Sequence, residues 1–206
     1  MDENKNNNEL SVKVSNYSRL ADLSLVSTFV FCSLCFAFWT ADLGRLKDGA
    51  TTAIGLLGLA VFVPYIVAGV ALAKKGLCLG GNTYVLFGAV FGACGGLFNT
   101  LDAVFAAAGI PFDYSVVGIA FTLAGLYLTC MLPAVIRTTK VDFLIFLFGA
   151  CGVLGSGLTV LGILPASFNL FNGWALFLDG VVGFYAVIAT VSNSMGLLLP
   201  LGKPFV

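Results

Sequence analysis

The chain has 206 residues, 59% of them hydrophobic and only 10% charged, with a mean hydropathy of +1.03. A soluble domain carries about 25% charged residues, so this composition excludes an ordinary water-soluble globule. Lys and Arg balance Asp and Glu at ten each, which leaves no basic field for nucleic acid.

The first 20 residues, MDENKNNNELSVKVSNYSRL, are polar and lack the apolar core of a cleaved signal peptide. They read as a cytoplasmic tail over 1–20, where the glycosylation acceptor Asn16-Tyr17-Ser18 would go unused. Six apolar runs follow, near 21–40, 53–73, 84–108, 114–136, 141–164 and 172–194. Each is long enough to cross a hydrocarbon layer about 30 Å thick. Helices are required, because backbone polar groups in lipid must pair within their own segment, and the strict alternation of barrel strands is absent. The expected organisation is an all-α membrane domain of six transmembrane helices over 21–196 and a short cytoplasmic tail over 197–206.

Taken in order, the first run carries Cys32-Ser33-Leu34-Cys35, two of six cysteines with Cys78, Cys94, Cys130 and Cys151. In a membrane helix free Cys behaves as a small apolar residue. The chain has no His, so no metal site and no cofactor are expected. The second run contains Tyr65. The third contains Gly88, Gly92 and Gly96 at spacings of four, then Asn99, Thr100 and Asp102. Tyr127 lies in the fourth. The fifth holds Gly149, Gly152 and Gly155, with Ser156 and Thr159, and the sixth holds Asp179 and Tyr185.

Phe91-Gly92-Ala93-Cys94-Gly95 recurs as Phe148-Gly149-Ala150-Cys151-Gly152, and Phe38-Trp39-Thr40-Ala41-Asp42 echoes Phe98-Asn99-Thr100-Leu101-Asp102. One tyrosine per pair of runs repeats the same period. The pattern predicts three tandem helical hairpins around a pseudo-threefold axis that can serve as a pore. The glycine faces allow close helix approach, or leave room along that axis.

Lys5, Lys13, Arg19, Lys74, Lys75, Arg137, Lys140 and Lys203 fall on one side, and only Arg45 and Lys47 on the other. The positive side is the cytoplasmic one, so both termini are expected there. An ionised Asp at a helix centre costs about 2.5 to 3.5 kcal/mol on insertion scales, so Asp102 and Asp179 need water, a partner or a proton. Counted from the predicted run ends, both lie roughly 10 to 12 Å below the outer face. Equal depth permits a proton-sharing pair or a hydrated vestibule; contact with interfacial water is the plain alternative. No Lys or Arg interrupts a run. A carboxylate would cross as the neutral acid, or be held by groups such as Tyr65, Tyr127, Tyr185 and Asn99 and by helix N-termini. With no Ser-His or Cys-His pairing available, transport or membrane scaffolding is expected rather than catalysis.

Ala68-Gly69 with Lys74-Lys75-Gly76, then Gly81-Asn82-Thr83-Tyr84, Phe91 to Phe98, Gly173-Trp174, Tyr185 and Leu199-Pro200-Leu201-Gly202 occur in an order and spacing that resemble the acetate uptake transporter family. That family includes bacterial succinate-acetate permeases and fungal ammonia/acetate exporters. The resemblance runs from about Ala68 to Pro204; the family's N-terminal NPAPLGL signature is reduced to Asn16 and Leu20, which marks a divergent member. It implies six helices, a pore in each protomer, homo-hexamers, and passage of acetate, related monocarboxylates or succinate, often with protons, at the plasma membrane. It also implies a constriction from the first, third and fifth helices. Relatives build it from Phe, Tyr and Leu; by resemblance those positions are Leu25, Cys94 and either Gly149 or Cys151, so that small residues stand where relatives carry Tyr and Leu. A wider gate than usual is therefore expected. A channel for neutral solutes such as ammonia, urea or water is the alternative.

Overall fold

The computed structural model describes residues 24–206. The expected tail over 1–20, its basic residues and the acceptor at Asn16 lie outside the described residues. Among the described residues, six helices are long and apolar enough to span a membrane: α1 (Ser24–Asp42), α2 (Ala50–Lys74), α3 (Cys78–Ala108), α4 (Ser115–Val135), α5 (Lys140–Val160) and α6 (Asn169–Ser194). The protein is a multi-pass helical membrane protein, without strands among the described residues. Large apolar side chains remain exposed along the helices, among them Leu56, Val63, Leu123 and Ile188. A helix apolar all round is stable only where lipid covers its outer face.

Several boundaries differ from the hydropathy reading. Helix α3 begins at Cys78 rather than 84, through Gly80, Gly81, Asn82 and Thr83. These are weak helix formers, but packing overrides them. A Cβ on Gly81 would sit 2.8 Å from the Ala73 amide nitrogen of α2, so glycine permits the close crossing. Helix α6 begins at Asn169, after a 3-10 turn over Ala166–Phe168. Helix α5 starts on a capping box, in which Thr139 Oγ1 accepts from the Asp142 amide at 3.1 Å and Asp142 Oδ2 accepts from the Thr139 amide at 3.4 Å. Ahead of α4, Asp113 Oδ1 accepts from the Ser115 hydroxyl at 2.6 Å and its amide at 3.0 Å. Those bonds hold its carboxyl below the usual range.

Sequence neighbours pack side by side, and α6 returns to α1, so the six helices close a ring of three tandem pairs about a central axis. The most extensive packing lies between pairs, joining α2 to α3, α4 to α5 and α6 to α1. Each of these seams is lined by glycine. On the first, Gly58 and Gly96 approach so closely that a Cβ on Gly58 would stand 3.1 Å from Gly96 Cα; on the second, a Cβ on Gly125 would stand 2.5 Å from Leu154 Cα; on the third, Gly180 abuts Cys35. Small residues let apolar helices gain dispersion contact where lipid removes the hydrophobic driving force. The two expected roles for glycine are thereby separated. Gly88, Gly92 and Gly96 face α2, and Gly152 and Gly155 face Leu176 and Asn172 of α6; none of them serves to widen the axis.

The repeated pentapeptide takes two backbone forms. Its first copy lies in a π-helical stretch of α3, Gly88–Gly95, and its second lies in regular α-helix. Beyond α6 the chain folds back at the Lys-rich end. Tyr185 donates to Pro200 O at 2.7 Å, Val141 N donates to Leu201 O at 3.2 Å, and Phe143 meets Phe205 with ring centroids 5.1 Å apart.

Candidate functional site

A cavity of about 520 Å³ lies within the end of the ring that carries Lys74, Lys75, Arg137, Lys140 and Lys203. Its mouth is formed by helix ends, at Ser24, Leu25, Cys78, Thr138 and Asp142. Its depth is bounded by Phe31, Tyr65, Phe87, Leu128, Gly149 and Asp179. Tyr65 is nine residues from the end of α2 and Gly149 nine from the start of α5, so the inner wall stands about 14 Å below the helix ends.

Beyond that wall the axis is filled. Leu34, Val61, Phe87, Leu128, Val153 and Leu176 belong to one buried cluster to which every helix of the ring contributes. Phenyl rings form a column through it: Phe31 stacks on Phe87 at 6.4 Å, Phe87 meets Phe91 at 5.1 Å, Phe91 meets Phe121 at 5.1 Å, and Phe121 meets Phe38 at 6.4 Å. Edge and tilted contacts at these separations are the favoured aromatic geometries. The cavity is thus a vestibule closed by an aromatic plug.

Polar groups along the vestibule are mostly engaged. Thr28 Oγ1 and Tyr84 Oη lie 2.5 Å apart, and Thr83 Oγ1 lies 3.0 Å from Tyr127 Oη. Two buried ones are not. Among the described residues Tyr65 Oη and Asp179 Oδ1 are buried without a hydrogen-bond partner, and Asp179 Oδ2 receives only the Cys35 thiol at 4.0 Å. Among the described residues, Asp142 and Asp179 are the charged side chains of the lining, and no Lys or Arg contributes to it.

The residues singled out from sequence separate accordingly. Leu25 is at the mouth, while Gly149, Tyr65 and Asp179 are at the inner wall. Cys94 and Cys151 are half-buried and do not line the cavity. The three tyrosines do not converge, since Tyr127 is bonded to Thr83 and Tyr185 anchors the C-terminal tail. Asn99 belongs to the opposite half, where its amide donates to Gly95 O at 2.8 Å and its carbonyl accepts from Tyr114 at 3.0 Å.

Asp102 and Asp179 are not at equal depth. Asp102 stands six residues before the end of α3 at Ala108, about 9 Å in, whereas Asp179 stands ten residues into α6, about 15 Å in. The earlier start of α6 and the earlier end of α3 together account for the difference. The helices that carry them do not adjoin in the ring, so they form no pair. Phe31, Phe87 and Leu128 escaped sequence reasoning, since an apolar residue in an apolar run carries no mark of which side faces the axis.

No protein-family model matches the chain, and no curated protein sequence does. A solved structure titled "Structure of the bacterial acetate channel SatP" superposes with a TM-score of 0.73 at 18% identity, covering 89% of this chain and 100% of that one. The fold is shared with a membrane acetate channel. The likeness to SatP extends over nearly the whole ring. At this identity, fold is what the comparison establishes.

Proposed function

We propose that this protein is a membrane channel or permease for acetate and related short carboxylates, with passage along the axis of the ring. The observation that carries the reading is the vestibule closed by an aromatic plug within a SatP-like ring. Apolar walls suit the methyl end of a short acid, and the inner wall offers hydroxyl and carboxyl groups to its polar end. Phe31, Phe87, Phe91 and Phe121 constitute the closed gate, with Leu25 at the entrance and Gly149 beside Asp179; Cys94 and Cys151 lie outside the cavity lining. Asp179 is the candidate for proton coupling, and Asp102 belongs to the outer approach together with Asn99.

The Lys-rich end faces the cytoplasm on this reading, by the positive-inside rule. The protein resides in the plasma membrane as a homo-hexamer, as the resemblance implies, with transport rather than catalysis as its activity. A second reading, a conduit for small neutral solutes such as ammonia, urea or water, is favoured by a cavity lining to which no Lys or Arg among the described residues contributes.

Purified full-length protein in liposomes, challenged in parallel with labelled acetate, succinate and urea at two pH values, separates these readings. Acetate flux that rises at the lower pH is expected. Urea flux indifferent to acetate would favour the neutral conduit, and the absence of any flux would reject transport.

A further inference from the structure

We propose that Asp179 and Tyr65 form a two-point site for one carboxyl group, which shares a proton with the Asp179 carboxyl, and that the cavity therefore selects monocarboxylates against dicarboxylates. This deepens the transport reading and rests on it. Both side chains are fully buried, yet both belong to the cavity lining, and neither Asp179 Oδ1 nor Tyr65 Oη has a partner among the described residues. Native proteins rarely leave buried hydroxyl or carboxyl groups unpaired, because desolvation without a replacement bond is destabilising. Two such groups at the wall of one cavity, on helices α2 and α6, mark a place where a ligand supplies the missing bonds.

The place of the carboxyl is built in. Helix α5 presents Gly149 there, and a Cβ at that position would stand 2.8 Å from Asp179 Oδ2. The glycine of the second pentapeptide copy leaves room for the acid at the cavity wall. The surroundings then decide which ligand fits. Facing Asp179 are the Cys35 thiol on α1, within 4.0 Å, and Gly149 on α5, with the Tyr65 phenol on α2 and Leu128 on α4 on the same inner wall. No cation stands among them, so a bare carboxylate cannot be held by charge. Two carboxyls can instead share one proton, giving a hydrogen-bonded pair with a single negative charge, while the phenol donates to the ligand's second oxygen. No covalent bond forms or breaks. A dicarboxylate would bring a second charge against Phe31, Phe87 and Leu128, and towards Asp142 at the mouth, with nothing to neutralise it.

Infrared difference spectra of the purified full-length protein with and without carbon-13 acetate test the shared proton. A protonated-carboxyl band perturbed by acetate is expected in the wild type and absent in Asp179→Asn. Acetate affinity should fall about tenfold in Tyr65→Phe and in Gly149→Ala, and succinate should bind the wild type at least about tenfold more weakly than acetate. The proposal is overturned if acetate perturbs no carboxyl band, if the band persists in Asp179→Asn, or if succinate binds as tightly as acetate. Should Asp179→Asn not yield folded protein, unchanged acetate affinity in both other variants overturns it equally. Wild-type protein that moves acetate in liposomes but shows no such band rejects this site alone; wild-type protein that moves no acetate rejects the transport reading.

Discussion

Glycine 125 carries more of the architecture than any charged residue. A Cβ there would meet Leu154 Cα and N at 2.5 Å, backbone atoms that cannot turn aside, whereas a Cβ on Gly80 meets only the flexible tip of Leu72 at 3.4 Å. Gly125→Ala must therefore part α4 from α5, and overpacking of this kind costs about 1 to 3 kcal/mol. Gly80→Ala gains helix propensity of up to about 1 kcal/mol and should be neutral or stabilising. Thermal unfolding in detergent checks the pair; equal melting temperatures would contradict a close-packed seam. At this scale the sequence was partly legible. Asp179 stood out because acids are rare in apolar runs, but its loneliness was invisible, since that depends on what α1, α2 and α5 bring to it. The tyrosine recurrence misled for the same reason: Thr83 captures the hydroxyl of Tyr127 and Pro200 that of Tyr185, leaving only Tyr65 at the inner wall.

Helix ends and helix form are decided by partners that lie far away in sequence. The start of α5 is local, and there Thr139→Ala should cost about 1 kcal/mol by leaving the Asp142 amide unbonded, while Thr139→Ser should retain the cap. Chemical denaturation of the two variants checks this, and equal losses would show that the hydroxyl does not cap. Hydropathy located six spans because a continuous apolar stretch of that length has few other stable fates in water or lipid. It missed the first turns of α3, whose Gly80-Gly81-Asn82-Thr83 reads as a loop until Ala73 and Gly69 are packed against it. It could not foresee the π-helical stretch at all. The same five residues are α-helical at Phe148 to Gly152, so nothing local distinguishes the copies; in α3 the wide turns accompany Phe91 meeting both Phe87 and Phe121. Such stretches within helices are frequent at functional sites, and this one lies at the plug.

For the molecule as a whole, the proposed orientation has a ready reporter. Cys78 is exposed at the Lys-rich end, while the exposed Cys130 lies within α4 on the lipid-facing belt. A membrane-impermeant maleimide should leave intact cells unmodified and label Cys78 in inverted vesicles, with Cys78→Ser abolishing the signal. Labelling of intact cells at Cys78 would invert the topology. The closed ring was anticipated by the repeats, but their grouping was not: the strongest seams run between the tandem pairs rather than inside them. No single pair is thus a self-sufficient unit, and the axis exists only once α6 has met α1. The lining without Lys or Arg has an electrical consequence. A membrane potential of 100 mV does about 2.3 kcal/mol of work on each elementary charge that crosses. On the proposed reading, a permeant that leaves this cavity together with its proton carries none, so voltage neither drives nor opposes it, and the gradients of acid and proton alone set the direction of flow.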